Sequence, residues 1–535
     1  MTEVTPSETD VEGVSANIAH VRGSTLLLVG RVLSLGLNFA TQALIARHLR
    51  QAEFGAVALA FAIAALGQVA ITLGLHRSVT RFLTTDLEQR AYPRLIGTIV
   101  MNVVVIVGLG AVLVALVAVA QRGLTAAGLL DPAATGVLLV LVLLAPIGAL
   151  DDLLIGLYAV FDSPRSIFVR RYVIGPALRL GVALLVVFAN GGGTQLAVGY
   201  VAASFFGLVL YGALFVRLLA DRGIVQAVRG QRLEFPIREV LGSSVPLLSS
   251  DAIWLLINTF PVLVLSAASG LHEVAAYQVV RPAAALNLLV AASFAVLYMP
   301  IATRLATRHD RGGANELYWR TTIWVAVLTF PIFAATFALG RPLSGFAFGD
   351  RYEPSGTYLS ILSIGYLVHA ALGFNAMTLA AHGHHRTVAL VNGVTAVASV
   401  AATLLLIPPF GALGAAIAST GTLLTQNALL QVALHRRIGI DLIHGDAIRV
   451  YAMIAVAAGT IFAIETFASL GIWTLVLAAL ASLVVLYLAR NAMELTSVYP
   501  GIHPLVVRLI TPTGRVGRRL SAGLDRVRSF RARDV

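Results

Sequence analysis

Apolar residues occur along this chain in nearly unbroken stretches of about twenty, with charged residues, Gly and Pro gathered between them. No stretch alternates with the period of a strand, and few are apolar on one face only. The pattern predicts membrane-spanning helices. Fourteen are expected, at Gly23 to Ala46, Phe54 to Leu75, Leu95 to Ala120, Val137 to Phe161, Tyr172 to Ala189, Gln195 to Phe215 and Leu241 to Ala268. The remainder are Val274 to Ala302, Thr321 to Leu339, Gly356 to Ala380, Thr387 to Ile407, Ala412 to Leu434, Val450 to Phe467 and Gly471 to Leu488.

Composition agrees with this pattern. Of 535 residues 58% are hydrophobic and 12% charged, with a mean hydropathy of +0.87. Soluble domains carry about twice that share of charge. The chain is therefore expected to be an all-α polytopic membrane protein and not a soluble globular enzyme. It contains no Cys, which removes disulfides, thiolate metal sites and Cys nucleophiles. It contains no Lys either, so all 38 basic residues are Arg and a Walker A lysine is impossible.

Where the Arg residues fall gives the orientation, because basic residues are retained on the cytoplasmic side. Twenty lie in the even-numbered loops, against five in the odd ones: Arg47, Arg50, Arg122, Arg341 and Arg351. Both termini are expected in the cytoplasm, with an even number of spans. No removable signal peptide is expected, since Glu3, Glu8, Asp10 and Glu12 precede Arg22. Loops this short leave no room for a soluble catalytic domain. The expected organisation is a tail at 1–22, an N-lobe at 23–220, a linker at 221–240, a C-lobe at 241–437, two further helices at 438–489 and a basic tail at 490–535. Nine Arg against three acids in that last tail suit anionic lipids. No nucleic-acid partner is expected.

An offset of 220 residues relates the halves. It places Glu53 on Glu273, Arg31 on Asp251 and Asn38 on Asn258. Six helices separate equivalent elements, so this is a parallel repeat of six plus six with two helices appended. In each half a charge and an Asn lie seven residues apart, on one helix face.

The first helix with its embedded Arg (GSTLLLVGRVLSLGLNFATQALIARHLRQAEFG), the second helix running into LGLHRSVTRFL and the six-plus-six plan resemble one superfamily. This is the multidrug, oligosaccharidyl-lipid and polysaccharide flippase superfamily, in its polysaccharide transporter branch. The resemblance implies two six-helix lobes around a central cavity and transport by alternating access. Fourteen helices also resemble the lipid II flippase branch, in which cavity arginines on helices one, two and eight bind the substrate pyrophosphate. Arg31, Arg77 and Arg281 lie on or beside those helices.

Charges within the apolar stretches narrow the search for a site, because each needs a partner or a watery cavity. Asp151 and Arg179 lie fourteen residues either side of Arg165 and are expected to pair; Asp152 has no evident partner and is a candidate ion site. Arg31, Asn38 and Gln42 form a polar stripe on the first helix, matched by Asp251 and Asn258 on the seventh. Arg31 and Asp251 are expected to be partners in one access state. Gln278 and Arg281 lie one turn apart on the eighth helix. His382, His384 and His385 crowd one short loop and read as a solvated turn, so no metal site and no cofactor is expected.

Taken with the resemblance, these features point to a flippase that moves an undecaprenyl-pyrophosphate-linked oligosaccharide, working beside a polysaccharide polymerase and glycosyltransferases in a bacterial cytoplasmic membrane. A cation-coupled exporter of drugs or small metabolites would use Asp151, Asp152 and Asp251 instead. A membrane-embedded glycosyltransferase or polymerase is a further alternative, against which the short external loops argue.

Overall fold

The computed structural model describes residues 30–72, 75–126, 132–161, 168–468, 471, 473–490 and 492. Arg31 is therefore described, whereas the side chains of Arg77 and Asp251 and the tails at 1–22 and 493–535 lie outside the described residues. Among these residues the structure is helical throughout, with no strand.

Ten helices among the described residues are long and apolar enough to cross a membrane, and the protein is a multi-pass membrane protein. Fourteen is not the number this criterion returns, for three reasons. The first helix is described only from residue 30. His385–Ile438 joins two of the predicted stretches. Leu255–Ser269 and Trp473–Ala489 are apolar but shorter. The join at His385–Ile438 is broken where Pro408 and Pro409 remove two backbone donors and Gly411 takes φ +54°. An L side chain at that φ would be strained.

Side chains that a soluble protein would bury are turned outward: Phe188 is 80% exposed and Leu405 72%. Such exposure over whole helices is tolerable only where the surroundings are hydrocarbon. Backbone donors and acceptors are then satisfied inside each helix.

Packing divides the chain into two compact units. One comprises residues 1–289, 339–366 and 389–426; the other comprises 290–338, 367–388 and 427–535. This is a division by contact, whereas the lobes expected from the sequence are a division by repeat.

In the first unit, Gln51–Thr72 packs along Leu271–Ala285, with Gly55 so close to Leu271 that an added Cβ would lie 2.0 Å from its carbonyl oxygen. Gln51 Nε2 donates to the His272 carbonyl at 3.2 Å beside this contact. Arg47, at the end of the helix over residues 30–48, donates to the carbonyls of Ala347 (3.1 Å) and Phe346. Arg351 returns the contact, donating to the carbonyls of Ala46 and Arg47. Two helix C-termini thus exchange arginine caps, each satisfying carbonyls that the helix leaves open. At another edge of this unit, Arg94 pairs with Asp86 at 3.5 Å and with Glu239.

In the second unit, Arg311–Ala338 is the central element, packed by Gly445–Ala468 and Trp473–Ala489. Tyr318 donates to Gln431 Oε1 within this core.

Candidate functional site

Two adjoining cavities open inside the first unit, sharing a wall of Asn38, Phe61 and Arg179. The helix over residues 30–48 contributes polar lining to both. Its side chains repeat every third or fourth residue, so Ser34, Asn38 and Gln42 form one stripe along both cavities. Asn38 Nδ2 donates to Ser34 Oγ at 3.1 Å, and Gln42 Nε2 reaches the Gln278 carbonyl at 3.4 Å. Arg31, one turn before Ser34, is exposed and has no hydrogen-bonding partner among the described residues.

The larger cavity, about 450 Å³, contains Arg179 and Arg281. Arg281 Nη1 donates to Gln278 Oε1 at 3.0 Å and to the Asn258 carbonyl at 3.2 Å, while Nη2 donates to Asn258 Oδ1 at 3.3 Å. The Tyr277 ring lies 5.7 Å from the guanidinium carbon. All these acceptors are neutral, so Arg281 is held in place with no counter-charge among the described residues. Among its described lining residues this cavity has no carboxylate; beside the two arginines lie the amides of Asn38, Gln42 and Gln278, Thr41, the aromatic rings of Phe54, Phe61, Tyr200 and Tyr366, and small or aliphatic side chains. Gln42, Asn258, Gln278 and Arg281, chosen separately along the sequence, thus meet in one network.

The second cavity, about 420 Å³, carries charges of both signs. The expected pairing of Asp151 with Arg179 is corrected here: Asp151 Oδ1 accepts from Arg170, at 3.0 Å from Nε and 2.6 Å from Nη2. Arg170, expected in a loop, lies in the π-helical turn Phe168–Ile174 just before Pro176 and is buried. Its guanidinium stacks over Tyr211 at 5.2 Å and fills the space left by Gly207, where a Cβ would come within 2.3 Å of Nη1. Arg179 is exposed to both cavities and is not the partner of Asp151. Asp152 does have a partner, accepting from Gln68 Nε2 at 2.7 Å. Gly148 leaves Gln68 room to do so, since a Cβ there would sit 2.6 Å from Gln68 Oε1. Gln68 was open to detection as an amide within an apolar helix; Arg170 was not, because its depth depends on the π turn.

The repeat expected from Glu53 and Glu273 has a structural counterpart. Glu273 Oε2 accepts from Ala412 N at 2.8 Å, beside the break at Gly411. Glu53 lies beside Gly192, the residue 220 positions before Ala412, with Oε1 3.7 Å from where a Gly192 Cβ would be. In both halves the acid that opens the second helix meets the turn between the fifth and sixth.

A hydrocarbon-facing helical bundle that encloses polar, cationic cavities has the build of a membrane transporter. Residues 20–306, more than half of the chain, match the family model described as polysaccharide biosynthesis protein. The chain belongs to that family. A search of curated protein sequences returned no match. Solved structures of the same fold include the lipid II flippase MurJ in an inward closed conformation. It is 13% identical, covering 89% of this chain and 99% of that one, with a TM-score of 0.66. An inward-facing multidrug resistance MATE family transporter of the MOP superfamily is 16% identical, covering 76% and 94%, with a TM-score of 0.62. A MOP superfamily transporter from Pyrococcus furiosus, reported to have a binding pocket of reverse polarity, is 14% identical over 78% and 95%, with a TM-score of 0.52. The fold is thus one shared with transporters of the MOP superfamily, and the family is that of the polysaccharide biosynthesis proteins.

Proposed function

We propose that the protein moves a lipid-linked, pyrophosphate-bearing oligosaccharide from the cytoplasmic to the external leaflet by alternating access. The observation that carries this reading is the cavity shared by Arg179 and Arg281, which has no carboxylate among its described lining residues; Arg179 also borders the neighbouring cavity, where Asp151 and Asp152 lie. A charge within the bilayer costs about 2.5–3.5 kcal/mol on insertion scales, so an uncompensated guanidinium favours an anionic occupant. Guanidinium binds a phosphate through two parallel hydrogen bonds, which suits a diphosphate headgroup. The aromatic walls and the amides of Asn38, Gln42 and Gln278 would replace water around sugar rings and hydroxyls, while the lipid tail stays in hydrocarbon. Cation export, the competing reading, needs free carboxylates; Asp151 is committed to Arg170 and Asp152 is bonded to Gln68. The reading places the protein in a bacterial cytoplasmic membrane with both termini inside. Glycosyltransferases would supply its substrate, a polymerase would consume its product, and the basic tail would lie on anionic lipids.

Depleting the protein should leave lipid-linked oligosaccharide on the inner leaflet, as measured by its inaccessibility to enzymes added outside. Restoring expression with Arg179→Gln/Arg281→Gln should give no more than about a tenth of native transport, the loss expected when charge-assisted contacts are removed. Native transport by the double variant at a normal protein level would overturn the anion-cavity reading.

A further inference from the structure

The second unit contains a basic cleft that shares no residue with the transport cavities. It has a volume of about 520 Å³ and is lined by Thr307, His309, Arg311, His382, His384 and Arg437 among others. Three segments far apart in sequence build it: the turn before Arg311–Ala338, the turn before His385–Ile438 and the last residues of that same helix. The histidine-rich turn, which in the sequence stands alone, thus acquires His309 and two arginines as neighbours.

The side chains of His309, Arg311, His384 and Arg437 make no hydrogen bond or ion pair with any described residue, and no Asp or Glu lines the cleft. Asp310, the nearest acid in the chain, is occupied: its Oδ1 accepts from Gly313 N at 2.8 Å at the start of Arg311–Ala338. His382 is anchored through Nδ1 to the Thr378 carbonyl at 2.9 Å, leaving its other ring nitrogen free to face a ligand. A metal site does not fit, since no group of three His, Asp or Glu residues among those described is spaced to hold an ion. Arg311 and Arg437 line the same cleft, so an anion entering it meets two cations and several imidazoles with no carboxylate among the described lining residues. Two guanidinium forks match the oxygens of a phosphate group.

We propose that this cleft is a second, non-transport binding site for a phosphate-bearing anion. All its segments belong to even-numbered loops, which the Arg distribution assigns to the cytoplasmic side, where both phospholipid headgroups and soluble phosphates are available. The proposal does not depend on the transport reading.

The test titrates the purified full chain in detergent, using Arg179→Gln/Arg281→Gln as the background so that the transport cavity does not contribute. Three probes are compared: soluble short-chain phosphatidylglycerol, short-chain phosphatidylcholine and inorganic pyrophosphate. Adding Arg311→Gln and Arg437→Gln should weaken binding of an anionic probe roughly tenfold or more, and His384→Gln should weaken it less. If phosphatidylglycerol responds in this way and pyrophosphate does not, the occupant is a lipid headgroup. The reverse result identifies a soluble phosphate. If the added substitutions leave both affinities unchanged in protein of native thermal stability, or if the zwitterionic lipid binds as well as the anionic one, the proposal is wrong. All three residues are at least partly exposed, so these variants should fold.

Discussion

The bond between Arg170 and Asp151 shows how closely single residues are fitted in the first unit. Arg170 is surrounded by a carboxylate, a Tyr ring and the bare backbone of Gly207, and each of these can be altered. Asp151→Asn leaves a buried guanidinium without a counter-charge and should cost on the order of 3 kcal/mol in unfolding measurements. Replacing both partners with Leu should recover much of that loss, because an apolar pair carries no desolvation penalty; equal damage from the single and double changes would show that the pair is not the source. Gly207→Ala should cost about 1–3 kcal/mol through displacement of the same guanidinium. Asp86 responds to pH. Burial holds its carboxyl above the ordinary value, with Arg94 opposing and Glu239 and Glu234 reinforcing the shift. A raised pKa in the fold means that the folded chain binds the proton more tightly than the unfolded one, so stability falls as pH rises through that interval. Asp86→Asn should flatten this part of a melting-temperature profile, and an unchanged slope would assign it to another group.

At the level of elements, the break at Gly411 and its acid are the most sharply defined joint. Glu273→Ala removes a charge-assisted bond to Ala412 N and should cost about 1.5–3 kcal/mol. Gly411→Ala adds backbone strain and also crowds Glu273 Oε2, 2.8 Å from where the new Cβ would be. Hydrogen exchange at residues 405–415 should rise in both variants, and protection equal to native would refute the joint. The predicted spans ending at Ile407 and starting at Ala412 bracket this break, and the helices were legible too, because hydrocarbon demands long apolar runs whatever their neighbours. The pairing of Glu53 with Glu273 by a 220-residue offset was legible too, although what each acid touches was not. The partner of Asp151 was misread for a physical reason. Counting equal distances from Arg165 assumes two straight helices, whereas the chain winds with a π turn at Phe168–Ile174 and brings Arg170 to the carboxylate first. The cationic cavity was legible only as separate polar residues, since a sequence gives the face of each helix and not which faces meet.

For the molecule as a whole, the reciprocal caps of Arg47 and Arg351 matter because each holds the end of the other's helix. Contacts made of carbonyls and guanidinia alone contain no group that titrates across the physiological range. Arg351→Ala should therefore loosen this end similarly at acid and neutral pH, as judged by solvent labelling of a Cys introduced at Ala46; a strongly pH-dependent change would point to a titrating partner. The unbalanced charge of the Arg179 and Arg281 cavity has an electrical consequence. In the proposed cycle the anionic headgroup neutralises the two guanidinia on the outward journey, but the empty carrier returns bearing them. An inside-negative membrane draws positive charge inward, with about 2.3 kcal/mol available per charge for each 100 mV fully traversed. In that cycle the resting voltage of the cell would favour return of the empty carrier.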